Sequence, residues 1–188
     1  MEDWLAGENN LQGFRKFVAC RFNSNNMSAF SSPEKRKSKI NSYGNGYQHL
    51  TGMLNDLPKE VLSYRAHRDA WNINEMVIHL ADLEASAYVN FRRAVAEPTE
   101  VILAFDKDLW VESLPYYNQP IDASLKLFRL LRASNYLLLK NLSQDVWLNT
   151  VNYPDHGQIS LEDLLDLYEG HFERVVKEIQ RNANDWQQ

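Results

Sequence analysis

Trp71-Asn72-Ile73-Asn74-Glu75-Met76-Val77-Ile78-His79-Leu80-Ala81-Asp82 opens a helix and then sets an imidazole and a carboxylate one turn apart. Asn72 is suited to cap the helix, with Glu75 answering from the third helical position, while Trp71 and Met76 stand where a hydrophobic staple forms. His79 and Asp82, at i and i+3, share one face of that helix. They read either as a metal ligand with its orienting partner or as a buried hydrogen-bonded pair.

Working outward, Ile73, Met76, Val77, Leu80, Leu83, Ala87, Phe91 and Ala94 continue an apolar stripe that predicts a helix over 73–96, closed by Glu97-Pro98. Upstream, Tyr43, Tyr47, Leu50 and Leu54 recur at helical spacing and predict a helix over 41–57, ended by Pro58. Downstream, Asp122 as cap and Leu125, Phe128, Leu131, Leu138 and Leu142 predict a third helix reaching about Asn141. Ser160-Leu161-Glu162-Asp163 resembles a capping box and starts a fourth, striped by Leu161, Leu164, Leu165, Tyr168, Val175, Val176 and Ile179.

Four helices without a strand pattern imply an all-α four-helix bundle. Residues 41–188 read as the bundle domain and 1–40 as a poorly patterned N-terminal extension. The connection from Glu97 to Pro120, rich in aromatic and acidic residues, is long for a compact domain and is expected to pack over the bundle end or to serve function. Trp110, Tyr116 and Tyr117 are its candidate lid.

The 188 residues are 44% hydrophobic and 24% charged, the composition of one soluble domain. A net charge of −5 argues against nucleic acid and anionic membrane surfaces as partners. Lys35-Arg36-Lys37-Ser38-Lys39 reads as a solvated basic segment. Cys20 is the sole cysteine, which excludes an intrachain disulfide and fits a reducing compartment. With neither a secretion signal nor a membrane span in view, a cytoplasmic location is expected.

A transition-metal site in a bundle is built from inward-facing side chains of different helices, and imidazole is the commonest ligand. His79 on the second helix and His171 on the fourth form the natural pair; the competing reading is two buried histidines satisfied by hydrogen bonds. His49, His67 and His156 are more simply interhelical or surface histidines. Asp106 and Asp108 lack the Gly and terminal Glu of a calcium loop and read as capping or solvated acids. Ser86 has no neighbouring base in sequence to activate it, and nothing near Cys20 lowers a thiol pKa.

Trp71-Asn72-Ile73, His79-Leu80-Ala81-Asp82-Leu83-Glu84, Phe91-Arg92-Arg93-Ala94-Val95-Ala96-Glu97, Phe105-Asp106-Lys107-Asp108-Leu109-Trp110, Pro154-Asp155-His156-Gly157-Gln158-Ile159-Ser160-Leu161, and Tyr168 before His171 follow one another in a familiar order. In that order and spacing, over roughly Tyr43 to Gln180, the chain resembles the DinB/YfiT-like metalloenzyme family, which includes YfiT-type thiol transferases. The resemblance implies an up-down-down-up bundle holding a divalent ion, zinc or nickel, on three histidines, and a homodimer. The first ligand matches His79. The other two belong to a His-x-x-x-His pattern on the last helix, whose first member matches His171 and whose second falls on Val175, which cannot coordinate a metal.

Asp82, Glu75 and Glu178 are the candidate replacements, Glu178 the worst placed because i+7 lies about 10 Å along the axis. Alternatively Arg174, at i+3 from His171, turns inward and pairs with Asp82 or Glu84 where a cation would have stood. Two functions follow. One is a metal-dependent hydrolase or thiol transferase acting on a small-molecule substrate. The other is a non-catalytic bundle that has lost the metal and binds a small molecule or a protein partner.

Overall fold

A computed structural model describes residues 31–68, 70–102, 106–154 and 157–187. Five helices and one hairpin are defined: α1 (Pro33–Asn55), α2 (Ile73–Ala96), α3 (Lys107–Ser113), α4 (Ile121–Leu139), β1 (Thr150–Tyr153), β2 (Gly157–Ser160) and α5 (Leu161–Trp186). The two expected capping boxes form. Asn72 accepts from the Glu75 N–H while the Glu75 carboxylate accepts from the Asn72 N–H, and Ser160 and Asp163 do the same for α5.

Side-chain pairings fix the directions of the four long helices. Arg36, Lys39 and Ser42 of α1 meet Glu162, Asp166 and Glu169 of α5 in rising order, so these two helices run parallel. Trp71, His79 and Ser86 meet Asn182, His171 and Tyr168, so α2 opposes α5. Gly44 faces Tyr136 and Tyr47 faces Arg129, so α4 opposes α1. The order is up-down-down-up. Parallel α2 and α4 force the chain to return along the whole 24-residue length of α2, about 36 Å, which explains the long connection after Pro98.

That return is strapped to the hairpin. The Thr99 N–H donates to the Thr150 carbonyl and the Ile102 N–H to the Asn152 carbonyl, while the Asn152 N–H donates to the Glu100 carbonyl. β1 pairs antiparallel with β2, Val151 opposite Ile159, and these two point into the core. The core is continuous through Tyr43, Leu50, Ile73, Val77, Leu80, Phe91, Phe128, Leu164, Phe172 and Ile179. Phe128 and Phe172 stack with centroids 5.9 Å apart.

Several boundaries differ from the sequence expectation. α1 starts at Pro33 rather than Asn41, with Ser32 accepting from the Lys35 N–H at 3.3 Å. The basic segment is therefore helical, and Arg36 is buried: its Nε and Nη2 donate to Glu162 and its Nη1 to Gln144. α4 begins at Ile121 behind Pro120, with no capping side chain, so Asp122 sits in the first turn rather than at its cap. The hairpin was not expected at all. Residues 1–30, including Cys20, lie outside the described residues, as does His156. Among the described residues no helix is long and apolar enough to cross a membrane.

Candidate functional site

The α2 capping box sets the register that carries His79 into the interior. The Trp71 and His79 rings meet edge to face with centroids 5.2 Å apart, and Asn182 on α5 donates to the Trp71 carbonyl at 3.2 Å. The Asn182 bond ties the start of α2 to the end of α5. His79 is 1% exposed, and its Nε2 lies 2.9 Å from Nε2 of half-buried His171. The rings are tilted by 52°. The separation is within hydrogen-bonding distance, and a bond there requires one imidazole to donate an N–H to the lone pair of the other.

Two nitrogens bound to one tetrahedral zinc at about 2.0–2.1 Å stand about 3.3 Å apart. The Nε2 pair therefore converges as two ligands of a shared ion would, and an opening of a few tenths of an ångström separates the two states. The remaining donors do not complete a set. Val175, one turn beyond His171, is half-buried and packs against the apolar core. Glu75 is occupied by the Asn72 cap and by the Arg65 guanidinium. Glu178 pairs with Arg181 at 3.3 Å. Asp82 accepts from the Tyr116 hydroxyl; burial raises the Asp82 carboxyl above its ordinary range, and this hydrogen bond opposes the rise. Among the described residues no group of three or more His, Cys, Asp or Glu is arranged to hold a metal ion. Among the described residues, the imidazoles that converge are those of His79 and His171.

Arg174 is exposed, so the expectation that it turns into the site fails. An arginine that does enter the bundle interior is Arg132, 2% exposed, on the Phe128 face of α4. Its Nη1 donates to Glu84 at 3.1 Å, its Nη2 to Glu169 and its Nε to the Tyr43 carbonyl at 2.7 Å. Glu84 also accepts from the Tyr43 hydroxyl and from Asn135 at 2.8 Å. Burial raises the Glu84 carboxyl, opposed by the Arg132 charge and by these donors. Sequence reasoning missed this network. The available signal was that Arg132 and Asn135 follow Phe128 at i+4 and i+7, the stripe positions of α4.

Elsewhere, Tyr116 is buried against α2, whereas Tyr117 is 79% exposed and covers nothing. Asp106 caps α3, accepting from the Leu109 N–H at 3.1 Å. His49 is exposed, its ring 6.2 Å from that of Phe172 between centroids in a T-shaped contact, and His67 is exposed. Ser86 and Asn90 share the Tyr168 hydroxyl, at 3.2 and 2.8 Å.

The DinB superfamily profile matches residues 45–179. The chain belongs to this family. A protein of Oceanobacillus iheyensis named "putative metal-dependent hydrolase" is 32% identical over 136 residues, covering 70% of this chain and 78% of the relative. A Bacillus cereus protein of the same description is 29% identical over 122 residues, 65% of this chain and 70% of that one. Among solved structures, YfiT from Bacillus subtilis, described as a probable metal-dependent hydrolase with an unusual four-helix bundle topology, superposes with a TM-score of 0.77 at 23% identity. It covers 84% of this chain and 90% of YfiT. A mycothiol-dependent maleylpyruvate isomerase gives 0.60 at 11% identity, over 75% of this chain and 59% of that one. Both structures show the shared fold.

Proposed function

We propose that this DinB-superfamily chain is a divalent-metal-dependent hydrolase or thiol S-transferase whose protein ligands are His79 and His171. The observation that supports this is the 2.9 Å approach of their Nε2 atoms across the α2–α5 seam. The names of the related hydrolases point the same way. An ion bound there would acidify a coordinated water or thiol toward neutral pH. The chain's own residues do the rest. Trp71 walls off His79 and keeps its ring in place, and the Asn182 contact holds α2 against α5. Of the two imidazoles, half-buried His171 is the more exposed.

With two imidazoles instead of three protein ligands, the centre would be weaker than a usual catalytic zinc site. Val175, packed into the core, favours a second reading: a metal-free bundle in which the two imidazoles bond to each other and the hollow takes a small molecule or a partner. The two are separated by titrating untagged protein, purified without added metal, with zinc and nickel. Stoichiometric micromolar binding abolished by His79→Ala supports the enzyme; absence of micromolar binding overturns it in favour of the metal-free bundle.

A further inference from the structure

The outer side of α4 carries leucines that the bundle leaves uncovered. Ala123, Leu127, Leu130, Ser134 and Leu137 recur alternately every four and three residues, the spacing of a seam that receives another segment. Phe128, Arg132, Asn135 and Leu139 are the buried positions of the helix, so this stripe points away from the core. Leu127, Leu130 and Leu137 are 45%, 62% and 54% exposed. A single exposed leucine needs no explanation, but three in line over about 15 Å mark an interaction surface.

Cations flank the stripe. Lys126, Arg129 and Lys140 are exposed; Arg129 and Lys140 lie over the Tyr47 and Tyr136 rings, at 5.8 and 5.1 Å, and among the described residues none of the three forms an ion pair. Asp122 is the sole carboxylate of the helix. The matching occupant therefore combines apolar side chains with negative charge. A second copy of the chain does not, because antiparallel stripes with Leu127 opposite Leu137 bring each Lys126 toward the other molecule's Lys140.

The chain itself supplies the missing pattern. Residues 1–30 precede the described ones, and Met1-Glu2-Asp3-Trp4-Leu5-Ala6-Gly7-Glu8-Asn9-Asn10-Leu11 sets three carboxylates, with no Lys or Arg, beside Trp4, Leu5 and Leu11. Phe14 to Phe22 is also apolar, yet it carries Arg15, Lys16 and Arg21, which the α4 cations repel. The described chain begins beside the end of α4, since Arg36 in the first turn of α1 donates to Gln144 at 2.5 Å. From there, residues 12–30 can span about 60 Å when extended, far more than the stripe requires. A segment tethered this closely meets its site at millimolar effective concentration, so a modest contact suffices.

We propose that Met1–Leu11 docks on the leucine stripe of α4, with Trp4 and Leu5 against the leucines and Glu2, Asp3 and Glu8 toward the flanking cations. The stripe shares no residue with the histidine pair of α2 and α5, so the docking stands whichever function that pair has.

The test uses the full chain with Cys20→Ser and Gly7→Cys, which leaves position 7 as the one thiol for a nitroxide label; amide signals are compared before and after the label is reduced. Expected is a loss of roughly half the signal at Leu127, Leu130 and Leu137, as for a tethered contact near half occupancy, with exposed Lys177 and Gln180 of α5 unaffected. Adding Trp4→Ser and Leu5→Ser, both outside the described residues, should restore the α4 signals, and Lys126→Glu with Lys140→Glu should restore them in part. The proposal is overturned if the α4 signals are untouched, which leaves the stripe to a separate partner, or if the loss survives Trp4→Ser with Leu5→Ser. It is also overturned if the loss passes from a labelled molecule to an unlabelled, isotopically enriched one, which makes a second copy the occupant.

Discussion

Single side chains decide both the site and the fit of the helices around it. Val175 stands one turn from His171 on the same helix, so an imidazole there would face the Nε2 pair. Altering residues that merely support a metal ligand changes affinity by roughly 10–100-fold, and a direct third ligand should exceed that. Val175→His is accordingly expected to raise zinc affinity at least about a hundredfold, read by competition with a chromophoric chelator; unchanged affinity would mean that position 175 does not reach the pair. The glycines of α1 make a matched contrast. A Cβ on Gly46 meets an Arg132 guanidinium that three hydrogen bonds hold in place, whereas one on Gly52 meets nothing within 4 Å. Gly46→Ala should lower stability by about 2 kcal/mol through overpacking, and Gly52→Ala should raise it by about 0.5–1 kcal/mol, both read from urea midpoints. Of the site, the meeting of His79 and His171 was legible because both lie on apolar stripes of helices whose starts were marked. Arg174 and Arg132 were not distinguishable that way, since spacing alone does not say whether a flexible charged side chain turns inward; buried carboxylates on other helices decide it.

Helix by helix, what the sequence revealed depended on how local the signal was. Asn72 with Glu75, and Ser160 with Asp163, complete their caps within four residues, and α2 and α5 start where expected. The start of α1 was hidden because its first turns owe their place to partners far along the chain: Arg36 reaches Glu162 across 126 residues and Lys39 reaches Asp166 across 127. The hairpin was hidden because each strand has four residues and buries only one. That α1–α5 contact carries an acid dependence. Burial would raise the Glu162 carboxyl, but hydrogen bonds from Ser31, Arg36 and Lys39 outweigh it and hold its pKa down to about 2. A carboxylate whose folded pKa lies below its unfolded value stabilises the fold at pH above the unfolded pKa and loses that contribution as pH falls through the folded one. Glu162→Gln should therefore cost about 2 kcal/mol near neutral pH and progressively less between 4.5 and about 2, the ordinary and folded values. Urea midpoints measured through that window check it, and a cost that does not shrink with acid would rule out the ionised pair as its source.

Over the whole molecule, one guanidinium touches every bundle helix. Arg132 belongs to α4 and bonds to the Tyr43 carbonyl of α1, Glu84 of α2 and Glu169 of α5. Parallel α2 and α4 bring Glu84 beside Arg132 and Asn135, and this central ion pair stands where ordinary bundles place apolar residues. A buried pair of this kind is not a large net stabiliser, but removing one partner strands the other charge in the interior, typically at 3–5 kcal/mol. Arg132→Met should thus lower stability by about 3 kcal/mol or more, and adding Glu84→Gln should recover part of the loss, because the amide keeps an acceptor for the Tyr43 hydroxyl without a charge. The double-mutant cycle should give a coupling of at least about 2 kcal/mol. Acid supplies an independent check on the same pair. Burial already raises the folded pKa of Glu84, and Arg132 opposes that rise, so without Arg132 the carboxyl binds its proton at still higher pH. A carboxyl with a raised folded pKa favours the fold when protonated and loses that advantage as pH rises through the folded value. The deficit of Arg132→Met should therefore shrink as pH is lowered from neutrality toward the ordinary carboxylate range, while that of the double variant changes less over the same range. A single-variant deficit independent of pH would show that Arg132 holds the four helices together by packing alone, through its contacts with the Tyr43, Phe128 and Phe172 rings, rather than by neutralising Glu84.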